Sequence, residues 1–93
     1  VYLELLRRGF EVTVGKNGTK EIDFVCNKHG EKLYVQVTYL LASQETINRE
    51  FGAYDNIKDN FPKYVVSLDE FDMSQNGIKH RNIRDFLLEK EWS

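Results

Sequence analysis

The feature that most constrains this chain is residues 20–40, KEIDFVCNKHGEKLYVQVTYL, where two strand-forming runs flank a His29-Gly30 turn. With the turn centred between those two residues, an antiparallel hairpin sets Asp23 opposite Gln36, Glu21 opposite Thr38 and Val25 opposite Tyr34. Strand side chains alternate with period two. Ile22, Phe24, Cys26, Leu33, Val35, Val37 and Tyr39 therefore share one face, and the polar residues Asp23, Gln36, Glu21 and Thr38 share the other. A carboxylate held on a sheet beside an amide oxygen and a second carboxylate is a donor set suited to a hard divalent cation.

The rest of the chain builds layers around that hairpin. Residues 1–9, VYLELLRRG, read as the end of a helix: Tyr2, Leu3, Leu5 and Leu6 recur at helical spacing, Arg7 and Arg8 lie in the last turn, and Gly9 sits where a C-cap belongs. Glu4 falls off the leucine stripe, as a solvated helix carboxylate would. Phe10, Val12 and Val14 then alternate with Glu11 and Thr13 as a strand, and Asn17-Gly18 signals a second hairpin. A turn centred there puts Val12 beside Asp23 and Val14 beside Glu21, which continues the polar face into an apolar one. The sheet is thus expected to be covered on both faces, with Asp23 partly buried and in need of a partner.

Ser43 reads as an N-cap, followed by Ile47, Phe51, Tyr54, Ile57 and Phe61 at helical spacing down to Pro62, with Gly52 as a point of bending or breakage. KYVVSLD, residues 63–69, is a short strand whose apolar centre suits a buried place next to the hairpin. Residues 77–81 suit a further short strand, and Asn82 caps a last helix with Ile83, Phe86 and Leu87 on one side. The order α, β, β, β, α, β, β, α carries no repeat or linker. Asp69, Glu70 and Asp72 read as solvated loop carboxylates. Lys79, His80, Arg81 and Arg84 form the basic cluster, a candidate phosphate contact. His29 and His80 have no nucleophile or metal-ligand partner at useful spacing in the sequence.

Composition closes off several classes. With 93 residues and 41% apolar content the chain suits a single domain with a modest core, residues 1–93. A net charge of -2 gives no general support for nucleic-acid binding, so such binding would need a local patch. One cysteine rules out an internal disulfide, and there is no CxxC or Cys/His pattern for zinc. Apolar runs fall short of the roughly 20 residues of a membrane span, and a cytoplasmic setting is expected. The sequence opens inside a helical pattern and is expected to be a fragment of a longer protein.

A helix carrying a Glu, then three antiparallel strands with an Asp on the second and an acid-or-amide, any residue, then Lys pattern on the third, resembles the PD-(D/E)XK nuclease superfamily. In more detail, LLRRGFEV, KEIDFVC, YVQVTYLLAS, ETINREF and PKYVVSLDEF together resemble the nuclease-like domain that ends a family of bacterial and archaeal AAA-type ATPases. The resemblance implies an α/β (α+β) restriction-endonuclease-like core: a three-strand antiparallel meander, a further strand and helices on both faces. It implies an ATPase domain elsewhere in a full-length chain, since no phosphate loop lies here.

Carried over by position, the resemblance makes Glu4 the helical acid, Asp23 the metal-binding acid, Gln36 the acidic position of the last motif and the Val37 carbonyl a metal oxygen. Thr38 stands where the catalytic lysine belongs. A neutral hydroxyl supplies no positive charge to an attacking water and a developing phosphorane, and Gln36 withdraws a ligand charge from Mg²⁺. Glu21 is a possible replacement carboxylate, and Lys16 or Lys58 a replacement cation. Two readings follow: a degenerate nuclease-like module serving binding or assembly, with nucleic acid met through Lys79, Arg81 and Arg84, or an active Mg²⁺-dependent nuclease with a relocated lysine. A third gives the chain no site at all and leaves Asp23 and Gln36 as a cross-strand pair worth roughly 0.2–1 kcal/mol.

Overall fold

A computed structural model describes residues 1–92. The elements are α1 (Tyr2–Arg7), β1 (Glu11–Asn17), β2 (Lys20–Lys28), β3 (Glu31–Val37), α2 (Gln44–Gly52), β4 (Lys63–Ser67), β5 (Lys79–Asn82) and α3 (Ile83–Leu88). They form a five-stranded sheet in sequence order, β1-β2-β3-β4-β5. The first three strands are antiparallel, and β4 and β5 continue in parallel from β3. Each parallel step needs a crossover, which α2 and its flanking loops supply between β3 and β4. The architecture is a mixed α/β domain with helices on both faces of the sheet.

Two cores follow from those two faces. Under α2, Phe51 and Tyr54 pack on Ile22, Tyr34, Val65 and Ile78. On the opposite face, Leu5 of α1 and Phe86 of α3 pack on Cys26, Leu33, Val35, Tyr64 and Val66. Phe86 is fully buried, stacks flat on Trp92 with centroids 4.4 Å apart, and meets Tyr64 edge-on at 5.3 Å. The Arg8 guanidinium lies 3.7 Å from the Trp92 centroid, so α1 and the segment after α3 are clamped together.

The central hairpin has the expected register, with Phe24 opposite Val35 and Val25 opposite Tyr34. His29 at φ 48° and Gly30 at φ 81° supply the left-handed turn that twisted strands require. The N-terminal hairpin departs from expectation. Its turn residues are Gly18 and Thr19, with Asn17 opposite Lys20, Lys16 opposite Glu21 and Gly15 opposite Ile22. The next pair is Thr13 with Val25, so β2 advances one residue more than β1. Asp23 and Phe24 together face Val14, which is a β-bulge in β2.

That extra residue explains the misplaced side chains. Val12 lies opposite Cys26, not Asp23, and joins the α1/α3 core. Val14 is 67% exposed instead of covering Glu21. Ile22 leaves the face of Phe24 and Cys26 for the α2 core, because a bulge reverses the alternation on one side of itself. Gly15 adjoins the bulge, where an added Cβ would stand 2.4 Å from Val25 Cγ2. Tyr39, expected on the buried face, is 73% exposed beyond the end of β3.

The second helix is shorter than its periodicity predicts. The Ser43 hydroxyl accepts the Thr46 N–H at 3.2 Å and starts α2 as expected. The helix ends at Gly52, the expected point of bending or breakage, instead of running to Pro62, and side chains from the β1–β2 turn take its last carbonyls. Lys20 Nζ donates to Gly52 O at 2.9 Å and Asn17 Nδ2 donates to Ala53 O at 3.1 Å. Asn82 caps α3 as read, its Oδ1 accepting the Arg84 N–H at 2.9 Å.

Candidate functional site

The β2–β3 ladder ends at Phe24 and Val35, and two side chains then take over from the backbone. The Asp23 N–H donates to Gln36 Oε1 at 2.5 Å, and the Val37 N–H donates to Asp23 Oδ2 at 2.9 Å. The expected neighbours are therefore joined, but as a reciprocal clasp of side chain to backbone. Tyr34 and Thr38 donate their N–H groups to Pro62 O and Val66 O, both at 3.0 Å, on the β4 side. Backbone groups alternate between strand edges, so the Val37 carbonyl turns the other way, toward the gap where β2 and β3 part. Gln36 is 4% exposed, whereas Asp23 is half-buried with Oδ1 outside any hydrogen bond among the described residues.

A buried carboxylate on α2, one on which the charge of Asp23 acts, was missed by the sequence reading. Glu50 lies on the inner side of α2, and its side chain keeps only 10% of its exposure. Its ion-pair partner is Arg49 Nε at 3.3 Å from Oε2, and Arg49 is 65% exposed. Burial pushes the Glu50 carboxyl up; the Arg49 hydrogen bond holds it back, and the negative charge of Asp23 pushes it up further. Burial likewise raises the Tyr54 hydroxyl well above its ordinary value, with the Asp23 and Glu50 charges adding to it, while Tyr54 Oη donates to Tyr64 O at 2.8 Å. The missed signal was spacing: Ile47, Glu50, Phe51 and Tyr54 follow the i, i+3, i+4, i+7 stripe of a buried helix face.

The other predicted residues lie elsewhere. Glu4 faces its own helix, its carboxylate accepting from Arg7 Nε at 2.8 Å and Arg8 Nε at 2.7 Å. Those hydrogen bonds hold its pKa down at about 2. Glu21 is exposed and lies opposite Lys16, and no ladder joins it to Thr38. Lys16 and Lys58 are exposed, and Thr38 is half-buried just past β3. In the basic cluster, Arg81 Nε donates to Glu89 Oε1 at 2.7 Å, and Lys79 and Arg81 both lie over the Tyr64 ring. Arg84 is exposed on α3. Among the described residues no group of three or more His, Cys, Asp or Glu side chains is placed to hold a metal ion.

His80 and Asp69 correct the sequence reading. His80 is 2% exposed, and its Nε2 lies 2.8 Å from Ser67 Oγ. Its Nδ1 accepts the Met73 N–H at 3.1 Å, so the proton sits on Nε2 and is donated to Ser67. Ser67 in turn donates to Asp69 Oδ2 at 2.7 Å, which also accepts the Leu41 N–H at 2.7 Å. The order is His to Ser to Asp, the reverse of what activates a serine nucleophile. Burial lowers the His80 pKa. Burial works to raise Asp69, but the Leu41 and Ser67 hydrogen bonds outweigh it and hold that carboxyl below the usual range.

A cavity of 640 Å³ opens at the hairpin-tip end of the sheet, among Arg8, Lys28, Lys32 and Trp92 and away from Asp23. The residues Asp23, Gln36 and Val37 lie instead at the parting of β2 and β3. Fold and site together define a small mixed α/β domain with a bulge-borne aspartate on β2 and a buried glutamate on α2. Against known proteins, the chain is 38% identical over 90 residues to an uncharacterized protein of Haemophilus influenzae, a match covering 96% of this chain. It spans 22% of the length of that curated relative. No family model and no solved structure matches.

Proposed function

We propose that this chain is a nuclease-like module of the PD-(D/E)XK type, with a restriction-endonuclease-like core, that works by binding or assembly inside a longer AAA-type ATPase in the cytoplasm. The observation that carries the reading is the Asp23–Gln36 clasp with Thr38 beyond it. Gln36 spends its amide oxygen on the Asp23 N–H, and Thr38 offers no cation, so the groups that would activate water are absent from that strand. Lys79, Arg81 and Arg84 are the proposed contact to phosphates. The test is incubation with labelled DNA and RNA, each single- and double-stranded, in Mg²⁺. Retention without cleavage is expected. Cleavage abolished by Asp23→Ala would overturn it.

The second reading, a Mg²⁺-dependent phosphodiester hydrolase with a relocated lysine, is favoured by one observation. Asp23 Oδ1 and the Val37 carbonyl leave hard oxygen donors at the same gap, which fits a magnesium ion. When bound, such an ion would polarise a phosphate oxygen and lower the pKa of a coordinated water. Asp23 and Val37 would hold it, with Gln36 orienting Asp23 instead of ligating. Glu21, exposed and opposite Lys16, is not needed in this arrangement.

A further inference from the structure

We propose that the cavity at the hairpin-tip end of the sheet binds a nucleoside monophosphate, with the phosphate on Lys28, Lys32 and Lys90 and the base against Phe61. The inference goes beyond the readings above and does not rest on them, since none of Asp23, Lys79, Arg81 and Arg84 lines this cavity. Four stretches of chain build it: the end of α1, the β2–β3 turn, the loop before β4 and the segment after α3. Its 640 Å³ falls within the roughly 300–1,000 Å³ of small-molecule sites. A second hollow of 490 Å³ shares Lys28, Lys32 and Phe61 with it.

The charge on its wall departs from that of the whole chain. Arg8, Lys28, Lys32 and Lys90 line it against Glu31 and Glu91, an excess of two positive charges in a chain of net charge -2. Lys28, Lys32 and Lys90 form no ion pair among the described residues. Lys28 Nζ donates to Arg8 O at 2.6 Å and lies 5.5 Å from the Phe10 centroid, so its charge is positioned but not neutralised. Arg8 shares the Glu4 carboxylate with Arg7, and its Nη1 is buried with no hydrogen-bond partner among the described residues. Buried polar groups nearly always have one. A phosphate monoester answers both features, with a charge of about -1.5 to -2 at pH 7 and three acceptor oxygens. A peptide's terminal carboxylate would bring a single charge.

The aromatic wall selects the rest of the ligand. Trp92 has both ring faces taken, by Phe86 at 4.4 Å and by the Arg8 guanidinium at 3.7 Å. Phe61, 39% exposed and bordering both hollows, carries no ring or cation contact among the described residues. A flat base is a partner for such a face, and stacking of this kind tolerates any base. Glu31 and Glu91 offer acceptors for ribose hydroxyls. A free nucleotide and the 5′-phosphorylated end of a strand both carry this chemistry.

The test is calorimetric titration of AMP, adenosine and inorganic phosphate into the purified chain at low salt. Wild type, Lys32→Gln, Lys90→Gln and Phe61→Ala are compared, each melted first. Wild type is expected to bind AMP at least about tenfold more tightly than adenosine or phosphate. Lys32→Gln and Lys90→Gln should each weaken AMP about tenfold, as loss of a hydrogen bond to a charged group does. Phe61→Ala should weaken AMP about fivefold or more and leave phosphate unchanged. Lys90 is exposed, so Lys90→Gln should melt with wild type and decides the matter if another variant unfolds. A 5′-phosphorylated deoxyadenosine octamer separates the sources. If it binds more tightly than AMP and loses that advantage with its phosphate, the ligand is a strand end; if AMP binds as well or better, it is a free nucleotide. A wild type that binds AMP no better than adenosine or phosphate overturns the inference, as does an AMP affinity unchanged in Lys90→Gln.

Discussion

Ser67→Ala tests the buried relay most directly. The Ser67 hydroxyl, 1% exposed, accepts from His80 Nε2 at 2.8 Å, accepts the Asp69 N–H at 3.2 Å and donates to Asp69 Oδ2 at 2.7 Å. Alanine removes all three. The His80 Nε2–H is left buried without an acceptor, which costs about 1–3 kcal/mol, and the carboxylate loses a charge-assisted hydrogen bond of about 1–2 kcal/mol net. Asp69 Oδ2 keeps the Leu41 N–H, which limits the loss. The sum is about 2–5 kcal/mol, a large part of the roughly 5–15 kcal/mol that holds a domain folded. Urea unfolding followed by circular dichroism at pH 7 should show the midpoint fall at an unchanged slope.

The pH arm adds a sign. Burial lowers the His80 pKa, so the unfolded chain takes up a proton at higher pH than the folded one. Stability from neutral His80 is present above its unfolded value near 6.5 and is lost as pH falls from there through the folded value. Wild type should lose stability below pH 6.5, and His80→Gln should lose less over the same range. A Ser67→Ala cost under about 0.5 kcal/mol would refute the reasoning, because it would mean that water reaches the relay.

Other outcomes are equally specific. Phe86→Ala should cost about 3–5 kcal/mol in urea unfolding, and it should shift the emission of Trp92, the single tryptophan, to longer wavelength as its stacking partner goes. Gly15→Ala should destabilise by about 1–3 kcal/mol, since its Cβ would meet Val25 Cγ2 at 2.4 Å next to the bulge. Cys26, fully buried and with its thiol pushed up to about 12 by burial, should resist a thiol reagent such as Ellman's until the chain unfolds. Glu4→Gln should be less stable than wild type at neutral pH in urea unfolding, and the deficit should close as pH falls from about 4.5 toward 2, because the carboxylate, held at about 2 by Arg7 and Arg8, gives stability that is present only above that range.

How much was legible follows from which forces are local. The His29-Gly30 turn fixes the central register within a few residues, so Asp23 and Gln36 were placed as neighbours from sequence alone. The caps Ser43 and Asn82 act within three residues and were equally plain. The bulge was hidden, because one extra residue leaves no mark in composition and shows only when β1 and β2 are paired. The end of α2 was marked in the sequence by Gly52, but its partners Asn17 and Lys20 lie more than thirty residues away. Ser67 and His80 likewise meet across parallel strands, thirteen positions apart. Glu50 was legible in principle, being on the stripe, but a charged residue reads as solvent-facing until its burial is seen.

The bulge at Asp23 and Phe24 behaves like a shift of reading frame in the strand's inside-outside code. Lys20 to Ile22 are written in one frame, with Ile22 on the α2 core, and Val25 to Lys28 in the other, with Val25 on the α2 core and Cys26 on the α1/α3 core. Deleting one residue at that junction would restore a regular ladder with Ile22 and Cys26 still on opposite faces, and would remove only the irregularity that carries Asp23. The aspartate sits at the splice, the single place where the strand belongs to neither face and its carboxylate is free to close the gap toward Val37.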